Sequence, residues 1–184
     1  MKNLKILAIA IVTAFSLNAC NNDDPKPIDE QELLTTVTTT LKNGNQTITL
    51  VYKNLDGYGS YPPIVNISGT LKAATVYTGT VAFLNETTNP VNNISAEILA
   101  EGVDHQLFFQ APNAVGIFGY ADQDVNGKPI GLKFTLTTGE ATTGNLIVTL
   151  RHQPNKSAAG VSSGNITNAG GATDASVKYP IVIQ

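Results

Sequence analysis

Apolar and polar residues alternate along most of this chain, and a period of two predicts strands rather than helices. Val37, Thr39 and Leu41 interleave with Thr36, Thr38 and Thr40. After Lys42-Asn43-Gly44-Asn45, Ile48, Leu50 and Tyr52 interleave with Thr47, Thr49, Val51 and Lys53. Asn-Gly supplies the positive φ angles of a two-residue type I′ turn, so the two runs read as a hairpin. Pairing Lys42 with Asn45 sets Val37 opposite Leu50 and Thr39 opposite Ile48, with both apolar sets on one face. Leu132, Phe134 and Leu136, a loop over 138–144, and Leu146, Val148 and Leu150 predict a second hairpin. The same alternation predicts further strands near 69–72, 76–84, 105–110, 115–120 and 176–183. Pro180 confines the last of these to an edge or to a position outside the ladder.

The period changes at Asn93–Gly102, where Ile94 and Ile98 are four apart. Asn93 can cap a helix start and Gly102 can stop it, so a helix of about two turns is expected there. Residues 153–174 are rich in Gly, Ser, Asn and Ala and read as a long loop, a length that favours a functional or mobile segment over a simple connector. Many short strands, abundant threonine and one short helix define an all-β chain. The expected fold is an antiparallel β-sandwich of about eight or nine strands, immunoglobulin-like or jelly-roll-like, with a β-barrel as the alternative.

The first 32 residues follow a different pattern. Lys2 and Lys5 precede an almost wholly apolar run from Ile6 to Leu17, the form of a secretory signal peptide and too short for a membrane-spanning helix. The sole cysteine, Cys20, follows Leu17-Asn18-Ala19, which resembles a bacterial lipobox. Residues 1–19 therefore read as a lipoprotein signal peptide and Cys20 as the lipid attachment site. Residues 20–32 form a flexible tether with five acids and two prolines, and 33–184 a single β-sandwich domain. A lone cysteine has no disulfide partner, so the core alone must stabilise the domain. Of 11 basic and 14 acidic residues, Lys2 and Lys5 lie in the leader, leaving a net charge of 9 − 14 = −5. That balance, without basic blocks, argues against a nucleic-acid partner. Anchorage to the outer membrane is expected. Asn21 and Asn22 do not match inner-membrane retention, and the acids Asp23 and Asp24 leave cell surface ahead of the periplasmic face.

Three constellations carry candidate chemistry. His105 lies near Glu101 and Asp104, and His152 shares parity with the inward Leu146, Val148 and Leu150. If the two imidazoles meet beside Glu101 or Asp104, they offer zinc or copper a three-ligand site; otherwise they are separate rim histidines. Asp122-Gln123-Asp124-Val125-Asn126-Gly127 places Asp122, Asp124 and Asn126 at alternate positions before a glycine, as calcium loops do. Position twelve is Lys133 rather than an acid, so a turn centred on Asn126-Gly127 and joining Tyr120 to Leu132 is the simpler reading. Tyr58, Tyr61, Pro62 and Pro63 offer an aromatic rim for a sugar or peptide, or cover the end of the sandwich. Nucleophilic catalysis finds no support: there is no Gly-x-Ser-x-Gly elbow, and Ser162 and Ser163 have nothing local to activate them.

The Cys20 signal, "LLTTVTTTLKNG", "FLNETTNP", "VDHQLFF", "DQDVNGKPIGLKFTLTTG", "IVTLRHQPNKSAAGV" and "ITNAGGATDASVKYPIVIQ" together resemble a family of small lipoproteins from Bacteroidota, especially flavobacteria. Such proteins often bear the label "type 1 periplasmic binding fold superfamily", which implies paired α/β domains, whereas the pattern here is all-β. The resemblance implies no activity and no catalytic residue. It implies a more acidic Asp-x-Asp-Gly version of residues 124–127. The expectation is a non-enzymatic, lipid-anchored binding or accessory domain without a cofactor. Its partner would be an outer-membrane receptor or a glycan. A metal-binding lipoprotein (zinc, copper or calcium) is the alternative, and an envelope hydrolase the third reading.

Overall fold

The computed structural model describes residues 33–57, 61–112 and 115–184. The expected signal peptide, Cys20, the expected tether and Tyr58 lie outside them. Nine strands form two antiparallel sheets, an open β-sandwich rather than a closed barrel. The larger sheet holds β1 (Thr36–Asn43), β2 (Gln46–Lys53), β3 (Ile64–Ile67), β4 (Val76–Leu84), β6 (Gly116–Tyr120) and β7 (Lys133–Thr138), in the order β3-β2-β1-β4-β7-β6. The smaller holds β5 (His105–Gln110), β8 (Thr142–His152) and β9 (Ala172–Ile183), in the order β5-β8-β9. Helix α1 (Ile94–Ala100) joins β4 to β5 and buries Ile94 and Ile98.

Alternation decides the core. Val37, Leu41, Ile48, Leu50, Phe83, Phe134 and Leu136 meet Leu107, Val148, Leu150, Val177 and Tyr179 between the sheets. Tyr179 is fully buried and donates its hydroxyl across the gap to the Val37 carbonyl at 2.9 Å, which satisfies the one polar atom its ring brings into the core. Burial raises its phenol pKa, so it stays a donor.

Three expectations are corrected. The first hairpin forms, but Asn43 pairs with Gln46, Thr39 faces Leu50 and Leu41 faces Ile48. The turn is therefore Gly44–Asn45. Only Gly44 takes positive φ, at 53°, as a type II′ turn requires of its first central residue. A two-residue slip preserves which side chains face the core, so the hydrophobic pattern could not detect it. The second hairpin does not form: β7 pairs with β4 and β6, and β8 with β5 and β9. Residues 139–141 switch sheets, and each strand keeps its apolar face inward without the two being partners. Lastly, 69–72 contributes only a bridge, Leu71 to Ile183. With Ala73 and Gln184 it hydrogen-bonds the outer edge of β9 and so protects it. β3 was not expected, because Ile64, Val65 and Asn66 are all exposed and show no inward face.

Asn93 sits at the helix start without a side-chain cap. Pro180 lies in the edge strand, as its missing N–H requires. Residues 153–171 cover the outer face of the small sheet. Val161 and Ala169 bury Phe108 in a second, smaller core. Among the described residues no helix is long and apolar enough to cross a membrane.

Candidate metal site at the sheet rim

His105 opens β5 and His152 closes β8, and antiparallel register makes them direct partners. They share the inward face with the next inward pair, Leu107 and Leu150. Their rings meet edge to face, centroids 4.8 Å apart at 79°. The third member is Asp174, which the sequence reading missed. Between Leu150–Ala175 and Arg151–Thr173 the register shifts, leaving Asp174 as an extra residue in a β-bulge. A bulge re-aims a side chain. Here it brings a carboxylate to the histidines, with Asp174 Oδ2 3.9 Å from His105 Nε2 and 3.8 Å from His152 Nδ1. One ligand atom from each residue lies within 4.8 Å of the others. No other group of three His, Cys, Asp or Glu side chains among the described residues converges in this way.

The surroundings hold this geometry. Glu101 caps the C-terminus of helix α1, and its backbone carbonyl receives His105 Nδ1 at 3.1 Å. A carbonyl only accepts, so Nδ1 carries a proton, which leaves Nε2, on the side of Asp174, as the ring atom available to a metal. Metal-binding histidines are oriented in this manner. Gln153, at φ 50°, turns the chain away after His152 and donates its N–H to the Asp104 carbonyl at 2.6 Å. Gly171, at φ 69°, brings the chain back. A Cβ there would lie 2.2 Å from the His152 carbonyl oxygen, so only glycine lets β9 start this close. The His105 side chain is buried (8 % exposed), while His152 and Asp174 keep 18 % and 15 %, which leaves an approach from solvent. Glu101 and Asp104, the acids expected beside the histidines, are exposed and contribute backbone instead.

Asp124 and Asn126 lie in a turn whose hydrogen bond runs from the Gly127 N–H to the Asp124 carbonyl, and Asp122 precedes it by two residues. Its centre is Val125–Asn126, with Gly127 following, not Asn126–Gly127. Asp122 accepts the N–H groups of Gly131 and Lys133. Asp124 Oδ1 accepts those of Asn126 and Lys128, and its Oδ2 receives the Lys156 ammonium at 2.9 Å. Lys156 also donates to the carbonyls of Gly102 and Pro129, so its three protons have three acceptors. Burial alone would raise the Asp124 carboxyl; Lys156 and the two N–H groups outweigh it and hold the carboxyl below the usual carboxylate range. A calcium ion here would have to displace that ammonium. Lys156 lies in the low-hydropathy loop and gave no sequence signal beyond being a lysine.

Tyr61 is 77 % exposed, and Pro62 and Pro63 are exposed as well. These residues do not cover the sandwich end; Tyr61 and Pro62 border an open groove with Lys53, Leu55 and Ile64. Ser162 donates its hydroxyl to the Lys156 carbonyl, a loop contact rather than an activated nucleophile. No protein-family model, curated protein or solved structure matches the chain.

Proposed function

We propose that this chain is an outer-membrane-anchored, non-enzymatic β-sandwich module that holds a divalent transition-metal ion between His105, His152 and Asp174. The observation that carries the metal reading is the convergence of three ligand atoms from three adjacent strands, with His105 Nδ1 already engaged by the Glu101 carbonyl. Around a four-coordinate zinc ion, neighbouring ligand atoms stand about 3.3 Å apart, given bonds of about 2.0–2.1 Å. The two carboxylate distances of 3.9 and 3.8 Å are slightly wider, and the three ligand atoms together lie within 4.8 Å of one another, so binding requires the side chains to close around the ion. Two imidazoles and one carboxylate suit zinc and its neighbours in the transition series, not a hard ion such as calcium. Three protein ligands leave a fourth position for water, on the side where His152 and Asp174 reach solvent. Anchorage rests on sequence: the apolar leader, Cys20 and the acidic tether.

Isothermal titration of metal-stripped protein with zinc tests the metal reading. One ion per chain is expected, with the heat lost in His152→Ala and Asp174→Asn. Equal binding by those variants, or none by the parent, rejects it. Metabolic labelling with a fatty acid tests the anchor, and incorporation that survives Cys20→Ser rejects Cys20 as its site.

A further inference from the structure

Exposed apolar side chains gather at one edge of the larger sheet. Leu55 and Tyr61, in the connection from β2, and Ile64 and Val65, in edge strand β3, are all exposed, as are Pro62 and Pro63. Leu55, Tyr61, Pro62 and Ile64 border one open groove. Beyond β3, the exposed large apolar residues, such as Val76, Leu99, Ile117 and Val125, fall no more than one to a strand, helix or loop among the described residues. Single exposed apolar residues are ordinary, whereas a contiguous group marks an interaction surface. The charged groups at this corner are engaged within the protein: Lys53 pairs with Glu86, and Asp56 Oδ2 accepts the Tyr61 N–H at 3.2 Å. Asn54, itself buried, donates its side-chain amide to the Tyr61 carbonyl at 3.4 Å. Polar contacts thus hold the backbone at Tyr61, and the corner turns its apolar side chains to solvent.

The described chain enters the domain at this same corner. A Cβ on Gly57 would lie 2.5 Å from Leu33 Cδ1, so Leu33, itself exposed, packs directly over Gly57. The Thr35 carbonyl accepts the Asn54 N–H at 2.8 Å. Twelve residues, 21–32, lie between Cys20 and Leu33 in sequence. A coil of that length spans about 20 Å, against about 40 Å across a domain of this size. The far edge of the sheet, β6, lies five strand spacings from β3, about 24 Å away. A lipid attached at Cys20 would therefore hold this corner, rather than the β6 edge, toward the membrane.

We infer that the Leu55–Tyr61–Ile64 corner is a second, non-covalent membrane contact, seated in the interfacial layer of the lipid that the Cys20 anchor enters. The inference rests on the anchorage proposed above. Leu55 and Ile64 supply apolar surface that lipid removes from water. Tyr61 suits the interface, with a ring for the acyl boundary and a hydroxyl for the headgroups. Pro62 and Pro63 have no N–H, so this stretch enters lipid with two fewer backbone donors to satisfy. Lys53 and Asp56 are engaged within the protein, so a zwitterionic lipid suffices.

The chain has no tryptophan, so one introduced at this corner is the sole reporter. The test mixes full-length lipidated protein carrying Tyr61→Trp with phosphatidylcholine vesicles whose acyl chains are brominated, a quencher confined to the lipid. Ile117→Trp is the control: Ile117 is 77 % exposed, as Tyr61 is, and lies on the opposite edge of the same sheet. Both proteins are expected to float with the vesicles, with Tyr61→Trp emission blue-shifted and quenched and Ile117→Trp emission unchanged. Adding Leu55→Asp and Ile64→Asp, at two exposed positions, should abolish the quenching of Tyr61→Trp without loss of flotation. Flotation with neither tryptophan quenched, or with both quenched alike, overturns the docking and leaves the anchor standing. Quenching that survives the two aspartates traces to the tether alone and overturns the docking too. Loss of flotation rejects the anchor, and the docking falls with it.

Discussion

The Lys156–Asp124 cluster and the His105–His152–Asp174 cluster each set a carboxylate against basic nitrogen atoms, yet they are built differently. In the first, three ammonium protons meet three oxygens, and the carboxylate takes two further N–H groups. The side chains are only 6 % and 2 % exposed. Nothing can be added to it without taking something away. In the second, ligand atoms stand at 3.8 and 3.9 Å, beyond hydrogen-bond distance, and solvent reaches two of the three residues. The first cluster holds loop to sheet through contacts at hydrogen-bond distance, whereas the second, with its wider spacing, is where we propose that an ion sits. The following predictions test whether that division of labour is real.

The largest effect is expected at the closed cluster. Lys156→Met strands a buried carboxylate and should cost about 3–5 kcal/mol in urea unfolding. Lys156→Met combined with Asp124→Leu removes both charges and should recover much of that loss. If the double variant is no better than the single one, the cost lies in packing rather than in the unpaired charge.

Acid should weaken the same cluster. Asp124 has a depressed carboxyl pKa in the folded state, so it stabilises the fold above the ordinary carboxylate pKa. That contribution disappears as pH falls through the depressed value, because the unfolded chain then binds the proton more readily. The urea midpoint should drop in acid, and the drop should be smaller in Lys156→Met. Identical pH profiles would separate Asp124 from the acid response.

The open cluster should respond to metal instead. Zinc at about one hundred times its dissociation constant should stabilise the parent by about 2.7 kcal/mol. For a domain of this size that raises the melting temperature by about 5–10 °C. Without metal, His152→Ala should cost less than about 1 kcal/mol, since the residue sits on the rim. A large loss in the metal-free protein would make this pair a structural contact like the first.

The smallest effects are expected at the acids nearest His105 in sequence. Glu101→Gln and Asp104→Asn should change zinc affinity by less than about twofold, the scale of a screened surface charge. A tenfold loss in either would bring that acid back into the ligand set.

Much of the architecture is legible in the sequence. The alternation of Val76–Leu84 and of His105–Gln110 gives β4 and β5 at their observed bounds, and the four-residue spacing of Ile94 and Ile98 gives α1. Strand partners are less legible, because a period of two says which way a side chain faces and nothing about its neighbour. β7 and β8 therefore read as a hairpin although they lie in different sheets. The same limit governs the metal site. The parity of His152 predicted its inward face, and pairing with His105 followed from a register that only the fold supplies. Asp174 was hidden twice: it lay in a segment read as loop, and its aim depends on a bulge that breaks the parity of β9. Gly170-Gly171 just before it signals a tight re-entry, though not its destination.

X-ray absorption at the zinc edge of the loaded protein tests the central claim most directly. The account predicts two imidazole nitrogens and carboxylate or water oxygen at about 2.0–2.1 Å, with one imidazole lost in His152→Ala and the carboxylate lost in Asp174→Asn. A zinc shell without imidazole scattering, or one that neither substitution changes, would contradict it.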